Sequence, residues 1–252
     1  MQHINFTIIT ITIIALASSA GAAVLYDGAI GGTPNTQGWN YLTDPLGGAS
    51  ATHSESGGVT TLDTTPVTAD SAGYFSEIPQ FGLLKHPSLG ALDRNDGDGF
   101  TLRLTAMVVS ELHTSIDRAG FSIIVLTSDN KGIELAFWPG TVWAQSTTFT
   151  HAEEIAFATN AAMVVYDVAV QDNGYDLYAD DALILSGSLR DYSAHPHPVY
   201  SETDFLFFGD DTSSAQAEVD ISYVEVLDYA VPEPATLTLL ALAGAALLRR
   251  RR

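Results

Sequence analysis

The sequence predicts an all-β fold, an antiparallel β-sandwich, and three observations predict it. From Phe100 onward, short runs of Val, Ile, Phe, Tyr and Thr are separated by clusters of Gly, Asp, Asn and Pro. Within Thr101 to Val109, Leu102, Leu104, Ala106 and Val108 alternate with Thr101, Arg103, Thr105 and Met107, the period of a half-buried strand. No long apolar stripe of helical period competes, so a sandwich or barrel of short strands is expected rather than an α/β fold.

Residues 1–22 come first. The apolar run from Phe6 to Ala17 leads into Ser18, Ser19, Ala20, Gly21 and Ala22, the order of a secretory signal helix followed by a small-residue cleavage site. Met1 to Asn5 holds no Lys or Arg, a departure from the usual charged start. Cleavage after Ala22 is expected, leaving an extracytoplasmic β-sandwich domain over residues 23–230. Its first third, Val24 to Phe75, is rich in Gly, Thr, Ser and Pro and alternates weakly, so edge strands and long loops are expected there.

Strands are predicted next at Phe121 to Thr127 and Gly132 to Trp138. The turn residues Ser128 to Gly132 join them as a hairpin, and Ile133, Leu135 and Phe137 share one face. Further strands are expected at Val142 to Gln145, Ala161 to Gln171, Tyr175 to Ala179, Ala182 to Leu185, Phe205 to Phe208 and Val219 to Leu227. In the last of these the alternation slips between Tyr223 and Val224, which predicts a β-bulge that turns Glu225 onto the acidic face.

The final segment, residues 231–252, reads Val231, Pro232, Glu233, Pro234, an apolar run from Ala235 to Leu248, and Arg249, Arg250, Arg251 and Arg252. The prolines forbid regular helix or central strand across the triplet and leave it extended and accessible to a processing enzyme. The apolar run predicts a hydrophobic helix of about 21 Å, lengthened toward the roughly 30 Å hydrocarbon core by snorkelling arginine stems. Four arginines hold that end in the cytoplasm.

These residues resemble the PEP-CTERM sorting signal of Gram-negative bacteria that secrete exopolysaccharide. The resemblance implies recognition by the membrane protease exosortase and removal near Pro232 to Pro234. The chain would then be anchored in the inner membrane only transiently, through its tail before processing, and would end in the cell envelope or extracellular matrix.

Composition bounds the partners. The 252 residues carry 10 Lys plus Arg against 30 Asp plus Glu, a net charge of −20. Because the tail holds four Arg and Glu233, residues 23–230 retain six basic and 29 acidic side chains, or −23. So negative a field repels nucleic acid and anionic surfaces and favours cations or neutral sugars. The absence of cysteine excludes disulfide staples, thiol chemistry and thiolate metal sites.

Residues Arg118 to Val226 resemble the concanavalin A-like, or laminin-G-like, jelly-roll superfamily. The resemblance is carried by the hairpin Phe121 to Trp138, by Tyr175-Asp-Leu-Tyr-Ala-Asp-Asp-Ala-Leu-Ile-Leu-Ser-Gly187, and by Phe207-Phe-Gly-Asp-Asp211 before the last strand. That superfamily contains lectins, glucanases and adhesive modules, so the fold leaves function open.

No catalytic set is expected. Glu218, Val219 and Asp220 resemble the start of the Glu-x-Asp-x-x-Glu motif of laminarinase-type hydrolases, but Tyr223 stands where the second glutamate belongs. Glu225 is about 23 Å from Glu218 along an extended strand, whereas glycosidase carboxyls sit roughly 5 to 9.5 Å apart. Asp93, Asn95, Asp96 and Asp98 are calcium candidates on hard-oxygen chemistry, although Gly97 and Asp98 are out of order for an EF-hand loop. Asp180, Asp181, Asp210 and Asp211 form other oxygen-rich turns. His195 and His197 alternate beside Pro196 and Pro198 with no third metal ligand in the pattern. Trp39, Trp138 and Trp143 are candidates for stacking on sugar rings. The function expected is a non-catalytic module that binds glycan, exopolysaccharide being the favoured partner, or that serves structurally in an adhesive matrix. A divergent polysaccharide hydrolase is the third reading.

Overall fold

The computed structural model describes residues 21–43, 51–66 and 69–230. The sorting residues Pro232, Glu233, Pro234 and Arg249 to Arg252 lie outside them, as does the expected signal helix apart from Gly21 and Ala22. Among the described residues no helix is long and apolar enough to cross a membrane.

Two antiparallel sheets form a sandwich. The first contains β1 (Ala22–Asp27), β3 (Thr52–Ser56), β4 (Val59–Asp63), β6 (Phe100–His113), β11 (Val164–Gln171), β12 (Gly174–Ala179), β13 (Ala182–Ser188) and β15 (Ala215–Leu227). Their order is β13-β12-β11-β6-β15-β4-β3. The same edge of β15 that pairs with β4 at Glu218 to Ile221 pairs with β1 from Tyr223 to Leu227. The second sheet is β10-β9-β8-β7-β14-β5-β2, where β2 is Asn40–Thr43, β5 Ala72–Phe75, β7 Ser122–Leu126, β8 Gly132–Trp138, β9 Thr141–Gln145, β10 His151–Ala156 and β14 Phe205–Asp210.

The alternating runs form the strands predicted for them, with shifted ends. β6 continues to His113, and β11 starts at Val164 rather than Ala161. β10 has no sequence signature: His-Ala-Glu-Glu-Ile-Ala does not alternate, and the segment is strand because β9 offers it an unpaired edge. In the N-terminal third, β2 and β3 end their sheets and β1 pairs on one side with β15, so all three are edge strands, while β4 and β5 pair on both sides.

The main core lies between the sheets. Leu102, Leu104, Ala106 and Val108 of β6 meet Ile133, Leu135 and Phe137 of β8 and Leu206 and Phe208 of β14. Each such side chain removed from water contributes roughly 1.5–3 kcal/mol. The predicted bulge is present: register shifts between Ile221 and Tyr223. It keeps Val224 and Val226 in the core and puts Glu225 on the outer face, where Tyr223 Oη donates to it at 3.0 Å. There Arg103 bridges two neighbouring strands, 2.7 Å from Asp167 and 3.3 Å from Glu225.

A second core covers the outer face of the seven-stranded sheet. Ile124, Leu126, Phe205 and Phe207 point outward and are roofed by Ile78, Tyr192, Val199 and Tyr200 from two long connections. This second layer creates the enclosed space in which the polar groups described next converge.

Candidate functional site

On that outer face, β2, β5, β14 and β7 and the two connections enclose a cavity of about 500 Å³, within the range of small-molecule sites. Its apolar walls include Leu42, Phe75, Ile124, Phe149 and Phe207. The floor depends on Gly73: a Cβ there would lie 2.3 Å from the Phe207 ring. Its cross-strand partner Gly209 has φ +145, and a Cβ on it would meet Gly73 Cα at 2.5 Å. Two facing glycines therefore let the strands approach and leave room above them.

The polar groups are Arg118, His195, His197, Tyr200, Asp210 and Asp211. One Nη of Arg118 donates to the carbonyls of Asp117 and Phe149, both at 2.9 Å, and the guanidinium lies 5.2 Å from the Phe149 ring centre. Among the described residues no carboxylate lies within ion-pair distance of Arg118, so its charge is not neutralised by direct contact. His195 Nδ1 accepts the His197 backbone N–H at 3.1 Å, which leaves Nε2 to carry the proton and the ring neutral. Burial and the nearby Arg118 lower its pKa, consistent with that state.

Asp210 turns inward from the end of β14. It accepts Thr64 Oγ1 at 2.7 Å and the Thr212 N–H at 3.1 Å, and burial pushes its carboxyl well above the usual range despite those donors. Asp211 instead opens on the cavity. Behind it, Glu134 of β8 is 1% exposed and accepts Tyr200 Oη at 2.6 Å. Burial, then the Asp211 charge, raises Glu134 well above the carboxylate range. Asp211, although exposed at the cavity mouth, is raised as well by partial desolvation, opposed by the Arg118 charge.

Several residues singled out from the sequence lie elsewhere. Trp39 is 3% exposed between the sheets, its Nε1 donating to Leu25 O at 3.0 Å and its ring edge-on to Phe208. Trp143 has no exposed surface and stacks on His151. Neither has a free ring face for a sugar. Trp138 does alternate away from the core but is half-buried, stacked on His113 at 4.0 Å with its Nε1 bonded to Arg118 O. Asp93, Asn95, Asp96 and Asp98 are exposed in the loop before β6, with Asp93 Oδ1 accepting the Asn95 N–H in a local turn. Among the described residues no group of three or more His, Asp or Glu side chains converges as a metal site. Glu218 and Asp220 lie on the outer face of the eight-stranded sheet, away from the cavity, and Asp220 accepts Thr61 Oγ1 at 2.6 Å.

Sequence reasoning missed Glu134 and Arg118 as site residues. The signal for Glu134 was present, since it is the lone charge in the apolar run Ile133 to Trp138. Asp211 was noted only as a turn residue.

Residues 230–252 match the PEP-CTERM protein-sorting motif. The chain therefore carries the mark of an exported cell-envelope protein of Gram-negative bacteria, processed by exosortase. No curated protein matches the chain. Among solved structures, it is similar to a carbohydrate esterase of Shiga toxin-encoding bacteriophage phi24B, at 14% identity and TM-score 0.54, covering 83% of this chain and all of the other. It is also similar to a Bacillus subtilis protein of unknown function with a galectin-like fold, at 9% identity and TM-score 0.50, covering 84% of this chain and 99% of the other. A Bacillus licheniformis β-glucanase matches at 11% identity and TM-score 0.44, over 81% and 97% of the two chains. At these identities the likeness is one of fold alone: the described chain is an antiparallel jelly-roll sandwich.

Proposed function

We propose that this is a matrix or cell-envelope protein whose sandwich binds glycan, without cleaving it, in the cavity on the outer face of the seven-stranded sheet. The observation that carries this reading is the composition of the cavity: aromatic walls at Phe75, Phe149 and Phe207 beside the hydrogen-bonding groups of Arg118, Asp211 and His195. A pyranose has the matching character, with apolar C–H faces for aromatic rings and hydroxyls for polar side chains. Exopolysaccharide is the natural partner for a protein sorted by this system. Its tail is cut near Pro232 to Pro234 after transient anchoring in the inner membrane. The acidic surface, at −23 for residues 23–230, agrees with an uncharged ligand.

The experiment is a glycan array probed with the intact protein, with and without calcium, followed by calorimetry on the best ligand. Specific binding that Arg118→Ala weakens at least tenfold supports the cavity as the site. Silence of the array in both conditions overturns glycan binding and leaves the structural, adhesive reading. Release of reducing sugar from any bound polysaccharide would overturn the non-catalytic assignment.

A further inference from the structure

Ile78, Ile124, Val199 and Phe207 line the cavity and are buried, whereas Phe81 lines the same space and is 61% exposed. Phe81 therefore stands at the mouth, where Asp211 is also exposed. A closed turn holds it there. Pro79 opens the 3-10 turn Pro79–Phe81 with its ring-fixed φ, and Gly82, at φ +73, closes it by donating its N–H to Pro79 O at 2.9 Å. Ile78 and Leu83 exchange both backbone hydrogen bonds across the turn, each at 3.2 Å, and their side chains pack into the second core. Asn40 Nδ2 donates to Leu84 O at 2.9 Å, which ties the far end of the turn to β2. A lone exposed apolar side chain is ordinary. One mounted on a stiff turn at the mouth of an aromatic-walled cavity has its ring in place before any ligand arrives, so little ordering is left to oppose binding.

Resting on the glycan-binding reading above, we propose that Phe81 is a second sugar subsite: a chain end fills the cavity, and the next sugar outside it stacks on the exposed ring. The walls favour this end-on entry. The floor is sheet, and side chains from the connections after β5, β6, β13 and β14 and from the β9–β10 turn stand around it. A saccharide does not lie across such a cavity as it would across an open sheet face; its terminus enters and the remainder leaves past the mouth. There the apolar face of a pyranose and the Phe81 ring remove each other from water. A phenyl ring has no hydrogen-bonding group, so Phe81 adds affinity without reading hydroxyl configuration. That discrimination stays with Arg118, His195 and Asp211. The subsite therefore reads length: a chain long enough to emerge engages both places, and a sugar that sits wholly inside engages only the cavity.

The test is calorimetry on the full chain in detergent, using linear ladders of neutral glucan, mannan and galactan from the monosaccharide to the hexasaccharide, and the parent polymers. On a ladder that binds, affinity should climb with length and level off once the chain has passed Phe81, and each polymer chain should take up a single protein at its end. Phe81→Ala should weaken the hexasaccharide about tenfold, as truncation of an aromatic anchor does, and leave the shortest binding sugar within about twofold. Phe81→Trp should keep the hexasaccharide affinity. A Phe81→Ala loss that is equal at every length, an unchanged hexasaccharide affinity in that variant, or several proteins bound along one polymer chain would overturn the subsite while leaving glycan binding intact. Silence toward all three ladders would overturn both.

Discussion

Glu134 sits where a strand residue would ordinarily be apolar, and burial sets its behaviour. Its folded-state pKa is raised well above the usual value, so the folded chain keeps a proton that the unfolded chain releases near pH ~4.3. Stability tied to this group is thus full below that pH and is lost as pH rises toward the folded value. Glu134→Gln removes the titration. Relative to the parent, the variant should gain stability steadily from about pH 4.5 upward, read by urea unfolding at pH 4, 6 and 8. A difference that stays flat across that series contradicts a proton held on buried Glu134 in the folded chain. Tyr200→Phe is the complementary change. It removes the donor to a buried carboxyl and should cost about 1–3 kcal/mol at neutral pH, with the melting temperature as readout.

Among the strands, two arrangements decide stability and shape. Arg103 of β6 pairs across to Asp167 of β11 and Glu225 of β15, and the Asp167 side chain is 1% exposed. Arg103→Ala would strand a buried carboxylate and should cost about 3–5 kcal/mol. Glu225→Gln leaves the Arg103–Asp167 pair in place and should cost much less, so the ratio of the two unfolding free energies tests which bond matters. The glycine contact between β5 and β14 is the second arrangement. Gly73→Ala drives a methyl group into the Phe207 ring and should destabilise by about 1–3 kcal/mol through overpacking. It should also abolish ligand binding by filling the cavity floor. Retained binding in a folded Gly73→Ala protein would move the site elsewhere.

For the whole molecule, the strand pair β1 and β15 places the two ends of the described chain together: Ala22 pairs with Leu227, and the Asp228 N–H donates to Gly21 O at 3.0 Å. Leu227 is five residues before Pro232, a reach of at most about 17 Å. Intact mass of the protein from its host should show an N-terminus at Ala23 and a C-terminus between Pro232 and Pro234. Deleting the exosortase should leave Arg252 in place. A tail that stays intact in the presence of exosortase would show that the motif is not read.

Much of this molecule is written in residue order. The period-2 runs mark most of the sandwich strands, the slip at Tyr223 marks the bulge, and the Pro-Glu-Pro, apolar and arginine series marks the sorting motif, because each is a pattern between neighbours along one segment. The cavity is a different kind of object. Asp211, Glu134, Tyr200, Ser122 and Arg118 belong to separate strands and connections, and nothing local distinguishes their carboxyls, hydroxyls and guanidinium from solvated surface groups. The same holds in reverse for Trp39 and Trp143, whose aromatic character suggested sugar stacking until packing between and over the sheets closed their faces. Sheet order, and the second apolar layer laid over the outer face, decided which polar atoms meet and which lose water. That depends on contacts far apart in sequence, and residue order alone does not contain it.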